Sequence, residues 1–395
     1  MTVQTTDCTR SKMNVLYLTM NPNRQSTTVP TEGWFRFLPE RGLRPVLVSR
    51  ELGVFHAWAV EEGVPSYQDP LPFPSKGNPV PFARSLWHLR KIVRRHNIEL
   101  IHCNEQDIYP IGQYLARICK LPVVVSVHFT MGREFCTWAF GGRKAPQRMF
   151  FLSRGSREAC RPGVEGVVPE DRWRLLYNGL DLERFRPDEG RRQEFRDGIL
   201  KETDIAIGVA CAIRPRKQLE HLFEAAARIQ DERLKVVVAG GPVPGDEEYA
   251  RELLDSAKAR LGDRLILLGH LDELRGFYNG LDIFLNTSQE EACSISVIES
   301  LACGCPILGY ASKSVDDQIL PEGGEIVDQD NIDQLTAALT RWISDVDDLQ
   351  VRRSAARERA EKMFDIRKLS HQLWDEYQEV LSSVPHKSPQ AASIL

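Results

Sequence analysis

Short aliphatic and β-branched runs alternate with helix-patterned stretches from one end of the chain to the other, and that alternation admits few folds. In the first half the runs are NVLYLTM (14–20), PVLVS (45–49), ELIHC (99–103), VVVSVHF (123–129) and FFLS (150–153). In the second they are IAIGVACA (205–212), LKVVVAG (234–240), RLILLG (264–269), DIFLN (282–286) and PILGY (306–310). Runs that are apolar throughout suit strands covered on both faces, as in a parallel sheet between helix layers. The two sets part at RFRPDEGRRQEFRDG (184–198), charged and bearing Pro and Gly as an interdomain connection does. The expectation is an α/β chain of two Rossmann-like, doubly wound domains facing a cleft, over 13–185 and 186–365. A last pattern, 366–383, puts Ile366, Leu369, Leu373, Tyr377 and Val380 on one stripe and is expected to return to the N-terminal domain. Residues 1–12 and 384–395 read as tails.

Composition narrows the class. With 51 basic and 55 acidic residues among 395, the net charge is −4, which gives no overall field for nucleic acid. The hydrophobic share of 42% suits globular domains. No apolar run is long enough to span a bilayer, and MTVQTTDCTRSK lacks the apolar core of a signal peptide. Nine scattered cysteines, of which Cys303-Gly-Cys305 is the closest pair, fit neither a zinc site nor a disulfide framework. A reduced, cytoplasmic chain without a metal is expected.

Chemistry concentrates in DIFLNTSQEEACSISVIESLACGCPILGY (282–310). A strand ends at Asn286, a loop carries Glu290 and Glu291, and a helix begins near Ser294 with Glu299 inside it. Free N–H groups at such a helix start favour an anion, and the two carboxylates could grip hydroxyls on either side of a diphosphate. Ser296-x-x-Glu299 is equally compatible with a capping box. Upstream, Arg214, Arg216 and Lys217 follow a strand at the edge where open α/β sheets bind ligands, and cations there suit phosphate oxygens. Gly240, Gly241 and Gly245 have the look of a phosphate loop, but Asp246 and Glu247 replace the Lys-Ser/Thr pair of a nucleoside-triphosphate site. Asp345-Val346-Asp347 follows no strand and reads as a solvated turn rather than a metal site. In the first half, VVVSVHF brings His128 to a strand end, where a structural and a functional reading stand level; His102 is the weaker candidate.

Four segments in order resemble the retaining GT-B glycosyltransferases of glycosyltransferase family 4. YNGLDLERFRP (177–187) resembles the family's linker through Asn178, Gly179, Asp181, Phe185 and Pro187. IRPRKQLEHLFEA resembles its strand–Pro-x-Lys–helix phosphate element with Lys217 at the lysine, and LKVVVAGGP resembles the strand that follows. EACSISVIESLACGCPIL resembles its double-glutamate motif, with Glu291 and Glu299 at the glutamates, and His128 matches a His that ends an N-domain strand in many members. The resemblance implies an N-terminal acceptor domain and a C-terminal domain for a nucleotide-diphosphate sugar. It further implies that Glu291 meets the donor sugar, Glu299 the ribose and Lys217 the diphosphate. Ser294 and Gly240 join the donor-binding set with Arg214 and Arg216, and neither metal nor cofactor is needed. The implied activity is hexosyl transfer with retention to an unidentified acceptor, whether glycan, lipid-linked or small molecule, with no nucleic-acid partner.

The chain departs from the family pattern in four places. Ala212 stands where Arg is common, Ala292-Cys293-Ser294 replaces Gly-Phe-Gly, MNPNRQSTT (20–28) replaces Gly-Gly, and the loop Lys313–Gln318 is unlike the common form. Two other readings stay open: a degenerate nucleotide-sugar binding protein, and a nucleotide-sugar 2-epimerase on the same scaffold. Retention of Glu291, Glu299 and Lys217 favours catalysis. SLWHLRKIVRRHNIE (85–99) is a basic amphipathic helix that suits either a sheet or anionic lipid, and FCTWAFGGRKAPQRMFF (135–151) keeps peripheral contact with the inner membrane face open.

Overall fold

Thirteen parallel strands form two sheets, seven in one and six in the other, in the computed structural model, which describes residues 12–23, 27–312 and 314–383. The expected tails (save Lys12), Cys8, Lys313 and the middle of the 20–28 loop lie outside the described residues. The chain divides into two compact units.

The first unit comprises residues up to Leu152, Cys160–Leu176 and the segment from Ile366 onward. Its strands are β1 (Met13–Thr19), β2 (Leu43–Ser49), β3 (Ser66–Gln68), β4 (Leu100–Cys103), β5 (Val123–Val127), β6 (Arg148–Phe151) and β7 (Trp173–Leu175). They lie in the order β3-β2-β1-β4-β5-β6-β7, so strand order reverses between β1 and β4. Helix Val80–Arg95 turns Leu89, Ile92 and Val93 into the core. The apolar stripe that suited a lipid surface in sequence is therefore spent on the sheet. The last helix, Ile366–Ser383, buries Ile366, Leu369, Leu373, Tyr377 and Val380 and packs on helix Val29–Phe37. A Cβ on Gly33 would fall 2.3 Å from Ile366 Cγ1, so only glycine permits that approach.

The second unit comprises Ser153–Ala159 and Tyr177–Asp365. Its strands are β8 (Ile205–Ala210), β9 (Leu234–Ala239), β10 (Leu265–Gly269), β11 (Ile283–Asn286), β12 (Ile307–Tyr310) and β13 (Gly324–Val327). They run β10-β9-β8-β11-β12-β13, with the reversal between β8 and β11. Ile207, Val209, Val236, Val238, Ile283 and Leu285 meet Leu222, Phe223, Leu339 and Trp342 from the helices above them. The chain changes unit at Tyr177, ahead of the charged stretch that suggested a boundary at 185. The cause is local: Tyr177 donates its hydroxyl to Asp317 at 2.7 Å, and Leu180 N–H bonds Phe364 O at 2.8 Å.

Candidate functional site

A doubly wound sheet binds ligands at its carboxyl edge where strand order reverses, because the two flanking loops leave in opposite directions and open a crevice. In the second unit that point lies between β8 and β11, and the two loops there carry the residues singled out in sequence. After β8 the chain makes one tight turn over Pro215–Lys217, passes through Gln218 at φ +48°, and enters helix Leu219–Arg228. Lys217 Nζ forms a hydrogen-bonded ion pair with Glu291 from the loop after β11, each side chain 13% exposed. Arg216 adds its charge 3.9 Å from the same carboxylate. Two more bonds fasten loop to loop: Thr287 Oγ1 donates to Lys217 O at 2.8 Å, and Gln289 N–H to Arg216 O at 3.0 Å.

Arg214 turns away from this pair, its Nε 3.7 Å from Asp246 Oδ2. Gly240, at φ +121°, has no room for a side chain, since a Cβ would fall 1.9 Å from Cys211 O. Its role here is close backbone approach beneath the loop after β8. Ser294 caps helix Ile295–Ala302 by position only, and its hydroxyl meets that of Ser296 rather than a backbone N–H. The Ser294 N–H is instead taken by Gln318 Oε1 at 2.9 Å. Glu299 is no capping-box partner, because it sits in the helix interior and accepts from Tyr278 OH at 2.9 Å. Burial and that carboxylate together push the Tyr278 phenol well up, so it stays a donor. Asp345 caps the next helix through the Asp348 N–H at 3.0 Å, in keeping with a turn.

In the first unit the reversal lies between β1 and β4. Three consecutive buried polar residues after β4, Asn104, Glu105 and Gln106, hold three loops there. Asn104 accepts from Thr31 Oγ1 at 3.0 Å and donates to Thr27 O. Glu105 accepts from Thr19 Oγ1 at 2.7 Å and Met20 N–H at 3.0 Å, and burial raises its carboxyl pKa against those bonds. Gln106 Oε1 accepts the His128 N–H at 3.0 Å. His128 lies one residue beyond β5 rather than within it. Its imidazole is buried and held neutral at physiological pH, burial lowering the pKa to about 4 while a bond to the Asn104 backbone opposes that. Its Nε2 is buried without a partner among the described residues. His102 is a packing residue: its ring bonds Tyr377 OH and Ser126 Oγ.

The structure thus joins Arg216, Lys217 and Glu291, sets Glu299 apart on Tyr278, and places His128 in the other unit. Sequence reasoning missed Tyr278, Gln318 and the Asn104–Gln106 run. Of these only the last had a signal, three polar residues directly after the strand run ELIHC. A cavity of about 840 Å³ in the second unit lies at the opposite, amino edge of the sheet, beside Asp204 and Ile205. Arg192, Arg196 and Arg353 there already donate to the carbonyls that end helix Arg275–Gly280, so packing occupies its cations.

Two family models match in tandem: "Glycosyltransferase Family 4" over residues 34–184 and "Glycosyl transferases group 1" over 190–362. The chain belongs to the family 4 glycosyltransferases. Similar proteins include the D-inositol 3-phosphate glycosyltransferase of Saccharomonospora viridis, 29% identical over 72% of this chain and 71% of that protein. The sulfoquinovosyl transferase of Arabidopsis thaliana is 24% identical over 84% of this chain. The chain spans 66% of the length of that protein. Among solved structures, Anabaena HepE in complex with UDP superposes with a TM-score of 0.80 at 17% identity, over 93% of this chain and 100% of that one. Sucrose-phosphate synthase from Thermosynechococcus elongatus gives 0.74 at 16% identity over 94% of this chain and 100% of that one. Those likenesses establish the GT-B fold, with its two Rossmann-like domains.

Proposed function

We propose that the protein transfers a hexosyl group from a nucleoside-diphosphate sugar to an acceptor hydroxyl, with retention at the anomeric carbon and without a metal. The observation that carries this reading is the Lys217–Glu291 pair at the point of strand reversal, with Arg216 beside it. Breaking the bond between sugar and diphosphate builds negative charge on the leaving group. Cations carried on two hydrogen-bonded loops answer that charge at close range. The diphosphate draws on Lys217 and Arg216, and Glu291 is left to accept from hydroxyls of the sugar. Glu299, steadied by Tyr278, accepts from the ribose. His128, neutral and with Nε2 unpaired, can exchange a hydrogen bond with a substrate hydroxyl but carries no charge at physiological pH.

Related proteins support a nucleotide-sugar donor: HepE forms a complex with UDP-glucose, and an Escherichia coli relative is a UDP-Gal-dependent galactosyltransferase. Eight free cysteines among the described residues support a reducing, cytoplasmic setting. No described helix is long and apolar enough to cross a membrane. The test is a thermal-shift and calorimetric screen against UDP-, GDP-, ADP- and TDP-sugars, followed by NMR of the product anomer in the presence of a chelator. Lys217→Ala is expected to weaken binding of the cognate nucleoside diphosphate about ten- to a hundredfold, the worth of one charge-assisted contact. Unchanged affinity, or release of free sugar or epimer with every acceptor class tried, overturns the reading.

A further inference from the structure

Five non-glycine residues among those described have a positive φ, and two of them bond each other beside the cation-bearing turn of the second unit. Gln218, at φ +48°, directly follows Lys217, and Asp330, at φ +62°, lies in the loop after β13. An L-residue meets steric resistance in that region, which glycine escapes and aspartate or asparagine bears more easily. A glutamine stays there only where its surroundings hold it. Gln218 is 6% exposed, and both ends of its amide are taken. Its Nε2 donates to Asp330 Oδ1 at 2.7 Å, and its Oε1 accepts from Gln329 Nε2 at 2.7 Å. Gln329 Nε2 closes the triangle on Asp330 Oδ1 at 3.0 Å. The Gln329 and Gln218 amides together hold the Asp330 carboxyl below its usual pKa.

The far end of this brace is itself anchored. Asn331 caps helix Ile332–Ser344 through the Gln334 N–H at 3.0 Å, and the Gln334 amide bonds both the N–H and the carboxylate of Asp328. That helix packs on helix Leu219–Arg228, which Gln218 opens. We propose that Gln218 is a positioning residue for the donor diphosphate, fixing from the β13 side the backbone that carries Lys217. From the β11 side, Thr287 Oγ1 and Gln289 N–H hold Lys217 O and Arg216 O. With the turn held on both sides, the Lys217 ammonium reaches from one place whether it faces Glu291 or a diphosphate oxygen. The inference rests on Lys217 meeting the diphosphate, and its test separates the two.

The test is a double-mutant cycle read by calorimetry with UDP, GDP, ADP and TDP, carried through with the one that wild type binds most tightly. Gln218→Gly removes the amide and suits the positive φ, so the melting temperature should hold within a few degrees while affinity falls about three- to tenfold. Asp330→Gly should do the same from the far end, and it carries the test if the first variant fails to fold. Asp330→Asn keeps the accepting oxygen and should match wild type. In a Lys217→Ala background, Gln218→Gly should change affinity by less than about twofold, because the group it positions is gone. Unchanged affinity in both glycine variants, equal loss with and without Lys217, or as great a loss from Asp330→Asn as from Asp330→Gly overturns the proposal while leaving Lys217 on the diphosphate. Wild-type affinity in Lys217→Ala, or no binding of the four nucleotides to wild type, overturns both roles.

Discussion

At the scale of the residue, the two glutamates of the second unit have different surroundings and should fail differently. Glu291 is paired with Lys217 on a loop, whereas Glu299 is fixed inside a helix by Tyr278. Glu299→Ala is expected to weaken donor binding, and Glu291→Gln, which keeps shape and removes charge, chiefly to lower kcat. Calorimetry and steady-state kinetics on one preparation check this, and equal losses of binding and turnover in both variants would undo the division. The buried imidazoles give a second prediction, on pH. His128 and His102 have folded pKa values of about 4 and about 3, both below the unperturbed 6.5. Below pH 6.5 the unfolded chain therefore binds protons that the folded chain refuses, so stability is full above 6.5 and is lost as pH falls toward the folded values. His128 alone should cost about 1 kcal/mol between pH 7 and pH 5.5. Urea unfolding of wild type and His128→Gln at the two pH values reads it, and parallel losses in both proteins would remove His128 as the source.

At the scale of the element, what a sequence can show depends on how completely an element is buried. The ten apolar runs all become strands, their ends shifted by no more than two residues. The three strands that left no run, β3, β7 and β13, are three of the four sheet edges, three or four residues long and mostly half-buried; the fourth edge, β10, did leave the run RLILLG. An edge has one partner and needs no continuous apolar surface, so a short edge strand can leave no pattern to read. The site divides in the same way. Residue types and their places after β8 and β11 could be read directly, but the pairing of Lys217 with Glu291 arises only when strand order reverses and brings those ends together. The Tyr278 bond to Glu299 depends on helix Arg275–Gly280 lying beside helix Ile295–Ala302, which no local signal encodes. The last helix illustrates how such long-range contacts hold an element. Tyr377 OH bonds both Tyr17 OH, at 2.9 Å, and the His102 ring, all three fully buried. Tyr377→Phe leaves those two partners unpaired in the core and is expected to cost about 1–3 kcal/mol by urea unfolding. Tyr17→Phe added to it should recover part of the loss, and a silent Tyr377→Phe would show that the network carries no stability.

At the scale of the whole molecule, the order of the chain and the order of folding units differ. The second unit is nearly continuous in sequence, whereas the first is completed by the final helix, almost two hundred residues after the chain has left it. That helix buries Ile366, Leu369, Leu373, Trp374, Tyr377, Val380 and Leu381 against the first unit. At roughly 1.5–3 kcal/mol for each large apolar side chain taken from water, the sum is about as large as the net stability of an ordinary domain. Glu376 adds bonds to Arg148 at 2.6 Å and Arg174 at 2.7 Å. Ending the chain after Asp365 should therefore strip slow amide exchange from β1, β4 and helix Val29–Phe37. The β8–β9–β11 core contains no residue of the missing segment and should keep its protection. Because Lys217, Glu291 and Glu299 all belong to that surviving unit, the shortened protein should still bind the nucleoside diphosphate within about threefold of the full chain, and Lys217→Ala should still weaken it. Hydrogen exchange by mass spectrometry and calorimetry on the shortened protein separate the outcomes. Native protection across β1 and β4 would show that the first unit closes without its last helix, and loss of nucleotide binding alongside loss of that protection would show that the two units do not stand independently.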